Sequence, residues 1–138
     1  MFQSQSRILT DFDWRRLDAL FERIRSKVKP PPTLSVLERE VTQAAVVDPK
    51  RVPPTVVTMN SVVEVVDLET EERRPLTVVF PSMAGIESGR VSVLAPLGTA
   101  LIGSREGANV RWNTPRGPRE LRIERVLYQP EASGRFDL

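Results

Sequence analysis

The chain has 138 residues, enough to bury one modest core with an appendage and too few for two large domains. With 40% hydrophobic and 28% charged residues it has ordinary globular composition, and no apolar run approaches the roughly 20 residues needed to span a bilayer, so a membrane partner is not expected. A net charge of +2 gives no strong field for a polyanion, and the absence of cysteine and histidine removes disulfides, thiolate nucleophiles, imidazole bases and most zinc sites. The first residues lack a basic stretch followed by an apolar one, so a cytoplasmic location is expected rather than secretion.

From Thr10 to Val28 the apolar residues Trp14, Leu17, Phe21, Ile24 and Val28 fall at spacings of 3, 4, 3 and 4, the seam of a helix that packs on another helix. Thr10 is placed to cap it, with Asp13 in the first turn where the helix dipole favours an acid. Pro30, Pro31 and Pro32 break the pattern. Thr33 or Ser35 can then cap a second helix carrying Leu34, Leu37, Val41 and Ala44. Two seams joined by a short stiff turn predict an antiparallel helical hairpin, a short coiled coil, over residues 1–48. Prolines at 49, 53 and 54 mark the boundary with a second unit over 49–138.

From Thr55 onward β-branched runs take over: Thr55 to Val66, Leu76 to Phe80, Val91 to Leu94, Val110 to Thr114 and Leu121 to Tyr128. Polar residues from Asp67 to Arg74 read as one hairpin turn, and Pro115 to Pro118 as another. The expected product is a twisted antiparallel sheet, and the chain as a whole is α+β. In the last run the apolar parity switches from Leu121 and Ile123 to Val126 and Tyr128, which predicts a bulge near Glu124 or Arg125. Pro96 and Gly103 frame one short helix across the sheet.

Ser92-Val93-Leu94-Ala95-Pro96-Leu97-Gly98-Thr99-Ala100-Leu101-Ile102-Gly103 runs from an apolar strand into that helix and resembles the core motif of the C-terminal domain of the Gre transcript-cleavage factors. Val56 to Ser61 and Tyr128 to Gly134 resemble signatures of a Gre-like family, the regulators of nucleoside diphosphate kinase. The resemblance covers the chain from about Trp14 onward. It implies an FKBP-like sheet domain and a partner, bacterial RNA polymerase, contacted at the rim helices of its largest subunit near the secondary channel. Leu94, Ala95, Pro96 and Leu97 occupy the positions of the docking loop, though only Pro96 keeps the residue common in Gre factors. The other reading of the same residues is structural, with Leu94 and Leu97 in the core and Pro96 starting a helix.

Gre factors resemble a probe with two acids at the tip of a long hairpin that help hold a magnesium ion. Here the tip reads Lys27, Val28, Lys29, Pro30, Pro31, Pro32 without an Asp or Glu, and the hairpin is shorter, so no catalytic residue, metal or cofactor is expected. Lys27 and Lys29 can meet an acidic rim or merely keep the tip solvated. The arginines at 105, 111, 116, 119, 122 and 125 alternate with glutamates and have few aromatics among them, so direct nucleic-acid binding is not expected. The composite expectation is a monomeric, non-enzymatic regulator that competes with Gre-type factors. Its alternatives are a module that dimerises through the hairpin and a transcript-cleavage factor.

Overall fold

The computed structural model describes residues 7–26, 30 and 32–138. Helix α1, Asp11–Arg25, begins where Thr10 is extended and its hydroxyl accepts the Asp13 amide at 3.0 Å, as the capping pattern requires. Asp11 and Asp13 occupy its first turn and Arg23 and Arg25 its last, both favourable to the dipole. Helix α2, Leu34–Gln43, follows the turn. Thr33 stands at its N-cap, but with helical backbone and no capping bond from its side chain.

The hairpin is closed at its base by a ladder that hydrophobic periodicity does not announce. Strand β1, Ile8–Thr10, pairs in parallel with β2, Ala45–Val47. The main sheet has the order β5-β4-β3-β7-β6, built from β3 (Val62–Asp67), β4 (Arg73–Val79), β5 (Arg90–Ser92), β6 (Asn109–Thr114) and β7 (Gly117–Tyr128). The antiparallel sheet expected from the sequence carries one parallel pairing, β4 with β5, because the chain from Phe80 to Gly89 crosses back through two short 3-10 turns instead of reversing in a tight hairpin. Both predicted hairpin turns form. At the first, the Asp67 carboxylate accepts the amides of Glu69 and Thr70 at 2.8 and 3.2 Å.

The run from Thr55 to Val66, expected as one strand, forms a strand only from Val62. A turn in which the Ser61 amide bonds the Thr58 carbonyl, with Asn60 at φ 69°, interrupts it. Against β3, strand β7 shows two register shifts, with Leu127 and Glu124 skipped by the pairing, and the second is the bulge that the change of parity predicts. Helix α3, Pro96–Leu101, packs across β4, β5 and β6.

One hydrophobic cluster runs through the molecule. Leu17, Phe21, Ile24, Leu34, Leu37 and Val41 of the hairpin are buried in the same cluster as Met59, Val63, Val78, Leu101 and Ile123. The helical seam is therefore spent within the chain, against both the other helix and the sheet unit. The burial of roughly half a dozen large aliphatic side chains, at about 1.5 to 3 kcal/mol each, is what keeps two short helices formed.

Candidate functional site

The loop from Leu94 to Leu97 is built by the exit of β5. Val93 is fully buried and its amide donates to the Val79 carbonyl at 2.8 Å. The Ser92 hydroxyl accepts the Leu94 amide at 3.0 Å, and the Ser92 carbonyl accepts the Ala95 amide at 3.0 Å. Ala95 is extended, Pro96 starts the helix where its lack of an N–H costs no helical bond, and the Thr99 hydroxyl returns to the Val93 carbonyl at 2.7 Å. These bonds all close within the chain, so the loop's shape is set before any partner arrives. Leu94, Ala95 and Leu97 are half-buried and Pro96 is exposed; the two leucines pack on the rim of the core. The two leucines thus pack on the core and Pro96 starts the helix, with its own face open to solvent. Beside it opens a cleft of about 750 Å³ whose lining includes Leu76, Val91, Ala95 and Leu97, with Arg74 and Arg90 at its edge.

Two glycines make this geometry possible. A Cβ on Gly98 would lie 2.0 Å from the Ser92 carbonyl oxygen, so only glycine lets α3 close on the end of β5. Gly103, at φ 77°, ends the helix and sends its amide to the Val57 carbonyl at 2.8 Å. The open carbonyls of that helix end are met by a residue that periodicity could not single out. The Arg7 guanidinium donates to the carbonyls of Thr99 and Ile102 at 2.5 and 2.8 Å while its Nε pairs with Glu40 at 2.9 Å.

The start of α2 lies against the same loop. The Thr33 hydroxyl, one of the two candidates with Ser35 to cap α2, instead donates to the Leu94 carbonyl, joining the residue after the prolines to the first residue of the Leu94 to Leu97 loop. Pro30 and Pro32 are exposed beside it, while Lys27, Lys29 and Pro31 of the predicted tip lie outside the described residues. Arg25 and Glu38 pair across the helices at 2.6 Å. Among the described residues no group of three or more His, Cys, Asp or Glu side chains gathers to hold a metal ion.

At the other end of the hairpin is a buried polar junction that sequence reasoning did not assemble. Asp13 is fully buried; its carboxylate accepts the Met59 amide at 3.0 Å and Arg16 Nη2 at 2.6 Å. Arg16 also donates to the Leu138 carbonyl at 2.7 Å and lies over the rings of Phe12 and Phe80. Thr58 donates its hydroxyl to the buried Glu131 carboxylate at 2.7 Å, and Gln129 Nε2 donates to the carbonyls of Pro53 and Val56, at 2.8 Å each. The two signature stretches around Val56 to Ser61 and Tyr128 to Gly134 are therefore halves of one internal network. Burial raises the Asp13 carboxyl above its ordinary range, against the pull of the Met59 amide and Arg16. Burial likewise raises Glu131, opposed by the Thr58 hydroxyl and reinforced by the nearby charge of Asp13.

On the sheet, Arg111, Arg119, Arg122 and Arg125 pair with Glu120, Asp67, Glu124 and Glu64 respectively. This is an interleaved charged surface in which each exposed pair is worth about 0 to 1 kcal/mol. Trp14 and Trp112 are both half-buried against the core.

A hairpin base, a curled sheet and one short helix wedged on a glycine define a known class. The chain belongs to the transcription elongation factor GreA/GreB C-terminal family, whose profile matches residues 52–128. Within that class it is 35% identical to the regulator of nucleoside diphosphate kinase of Escherichia coli K12, over 94% of each chain. It is also similar to the transcription elongation factor GreA of Azorhizobium caulinodans, 34% identical over 69% of this chain and 60% of that one. Among solved structures it matches the transcription elongation factor GreA/GreB from Nitrosomonas europaea with a TM-score of 0.76 and 36% identity, covering 89% of this chain and all of that one (100%).

Proposed function

We propose that this chain is a non-enzymatic, cytoplasmic regulator that binds bacterial RNA polymerase near the secondary channel through the Leu94 to Leu97 loop and excludes Gre-type factors from the same place. The observation that carries this reading is the preformed loop itself: apolar at Leu94 and Leu97, exposed at Pro96, and held beside the hairpin turn by Thr33. A surface that needs no ordering on contact retains more of its contact energy as affinity. The hairpin acts here as a strut carrying the start of α2 next to the docking loop, so both reach the rim of the channel together. The hairpin's apolar seam is consumed inside one chain, which favours a monomer over pairing through the helices. The effect on nucleoside diphosphate kinase, which the name of the Escherichia coli relative describes, would then be indirect, through gene expression.

Titration of fluorescently labelled protein with core RNA polymerase tests the reading. Saturable binding is expected, weakened at least about tenfold by Leu97→Asp, which places a charge on the apolar face of the loop. Equal binding by a folded Leu97→Asp chain would remove the loop from the interface.

A further inference from the structure

The turn Thr58-Met59-Asn60-Ser61 is shaped to present one backbone amide. Ser61 Oγ accepts the Thr58 amide at 2.9 Å, the Ser61 amide closes on the Thr58 carbonyl at 3.0 Å, and Asn60 takes the left-handed conformation at φ 69°. Glu131 braces the turn from behind through the Thr58 hydroxyl. The amide left pointing outward is that of Met59, and it is received by a side chain of α1, the carboxylate of Asp13. Arg16, one turn along the helix, holds the other carboxylate oxygen and lies between Phe12 of the helix and Phe80 at the end of β4.

We propose that Asp13 is a positioning residue that sets the attitude of the helical hairpin on the sheet unit, with the Thr58 to Ser61 turn as its receptor and Arg16 as its second arm. Three features separate this role from ordinary core packing. The helix keeps its N-cap without the carboxylate, because the Thr10 hydroxyl accepts the backbone amide of residue 13, which any residue at that position supplies. An amide-to-carboxylate bond in a buried site is short-ranged and directional, so it selects one angle where apolar contacts alone permit sliding. The contact also lies at the base of the hairpin, while Thr33 secures its far end; two anchors at opposite ends fix a rigid body's direction as one cannot. A buried carboxylate retained at a desolvation cost is accounted for by such geometric selection. The attitude is a property of the free chain, and its test needs no partner.

The chain has no cysteine, so spin labels can be placed by Asp18→Cys on the exposed side of α1 and Arg111→Cys on the exposed side of β6. Pulsed electron double resonance on the full chain should then give a single narrow distance. Asp13→Ala is expected to lose that narrow distance while the amide protons of β3 and β7 stay protected from exchange. Asp13→Asn keeps one oxygen for the Met59 amide and drops the charge that holds Arg16, so the parent distance should persist beside a second population. A single parent-like distance in Asp13→Asn, or in a folded Asp13→Ala, overturns the assignment. Loss of β3 and β7 protection in both variants overturns it too, because Asp13 would then support the whole core rather than one orientation.

Discussion

Gly98→Ala separates two physical expectations of opposite sign. By helix propensity alone, replacing a helical glycine with alanine stabilises by about 1 kcal/mol. In this fold the new Cβ would sit 2.0 Å from the Ser92 carbonyl oxygen, 2.8 Å from its carbon and 3.0 Å from the Val93 Cα, and all three are backbone atoms with no rotamer to escape into. To restore an ordinary contact of about 3.4 Å or more, α3 must withdraw from β5 by more than 1 Å. That movement loosens the Thr99 bond to Val93 and the packing of the buried Leu101. Overpacking with backbone displacement costs about 3 kcal/mol or more, which outweighs the propensity gain and leaves a net loss of about 2 to 3 kcal/mol. Urea unfolding followed by far-ultraviolet circular dichroism would show a lower midpoint with an unchanged slope, and thermal unfolding a drop of about 10 °C. A variant as stable as the parent, or more stable, would refute the close approach of α3 and β5 and with it the rigidity claimed for the docking loop.

Arg7→Ala should destabilise by about 3 kcal/mol, since it strips the carbonyls at the end of α3 of a charged donor, and Arg7→Lys should recover only part because a lysine has no counterpart of the Nε that pairs with Glu40 while Nη1 holds the carbonyls; thermal unfolding of the three chains checks the order. For Asp13 and Glu131 the folded-state pKa lies above the unfolded one, so protonation supports the native state fully below the ordinary carboxylate range and that support is lost as pH rises through the raised values. Glu131→Gln, which keeps an acceptor for Thr58, should therefore gain on the parent at about pH 7 and lose that advantage by about pH 4.5, as read from urea midpoints; a gap that widens on acidification contradicts the burial argument. An RNA-cleavage assay on a backtracked polymerase complex should show no stimulation over background, and Mg²⁺-dependent cleavage would reinstate the transcript-cleavage reading.

The elements whose logic is local were legible from the residues. A seam spaced at 3 and 4, a threonine cap, two polar turns and a change of strand parity each leave their mark within a dozen positions, and α1, α2, both β-hairpins and the bulge at Glu124 follow. What escaped depends on partners far apart in the chain. The β1–β2 ladder joins two three-residue strands through Ile8 and Ala45, too short for any period to show. Asp13 reads as a first-turn acid because nothing near it reveals that its acceptor role is filled by an amide 46 residues on. Val56 to Ser61 reads as strand because β-branched residues favour it, yet Asn60 can enter the left-handed region and the closing turn buries Thr58 and Ser61 against Glu131. Of the Leu94 to Leu97 loop and its helix, the sequence pattern carried the Pro96 start and the Gly103 stop; the Thr33 bond that brings the start of α2 to Leu94 was hidden, because a threonine before a helix is read first as its cap.

The most direct test is displacement at equilibrium: a labelled GreA-type factor is bound to core RNA polymerase and this chain is titrated in. Complete release of the factor, at concentrations matching the chain's own binding curve, is the predicted result. A ternary complex in which both proteins stay bound, or no binding of this chain at all, would contradict the claim that the Leu94 to Leu97 face occupies the Gre site.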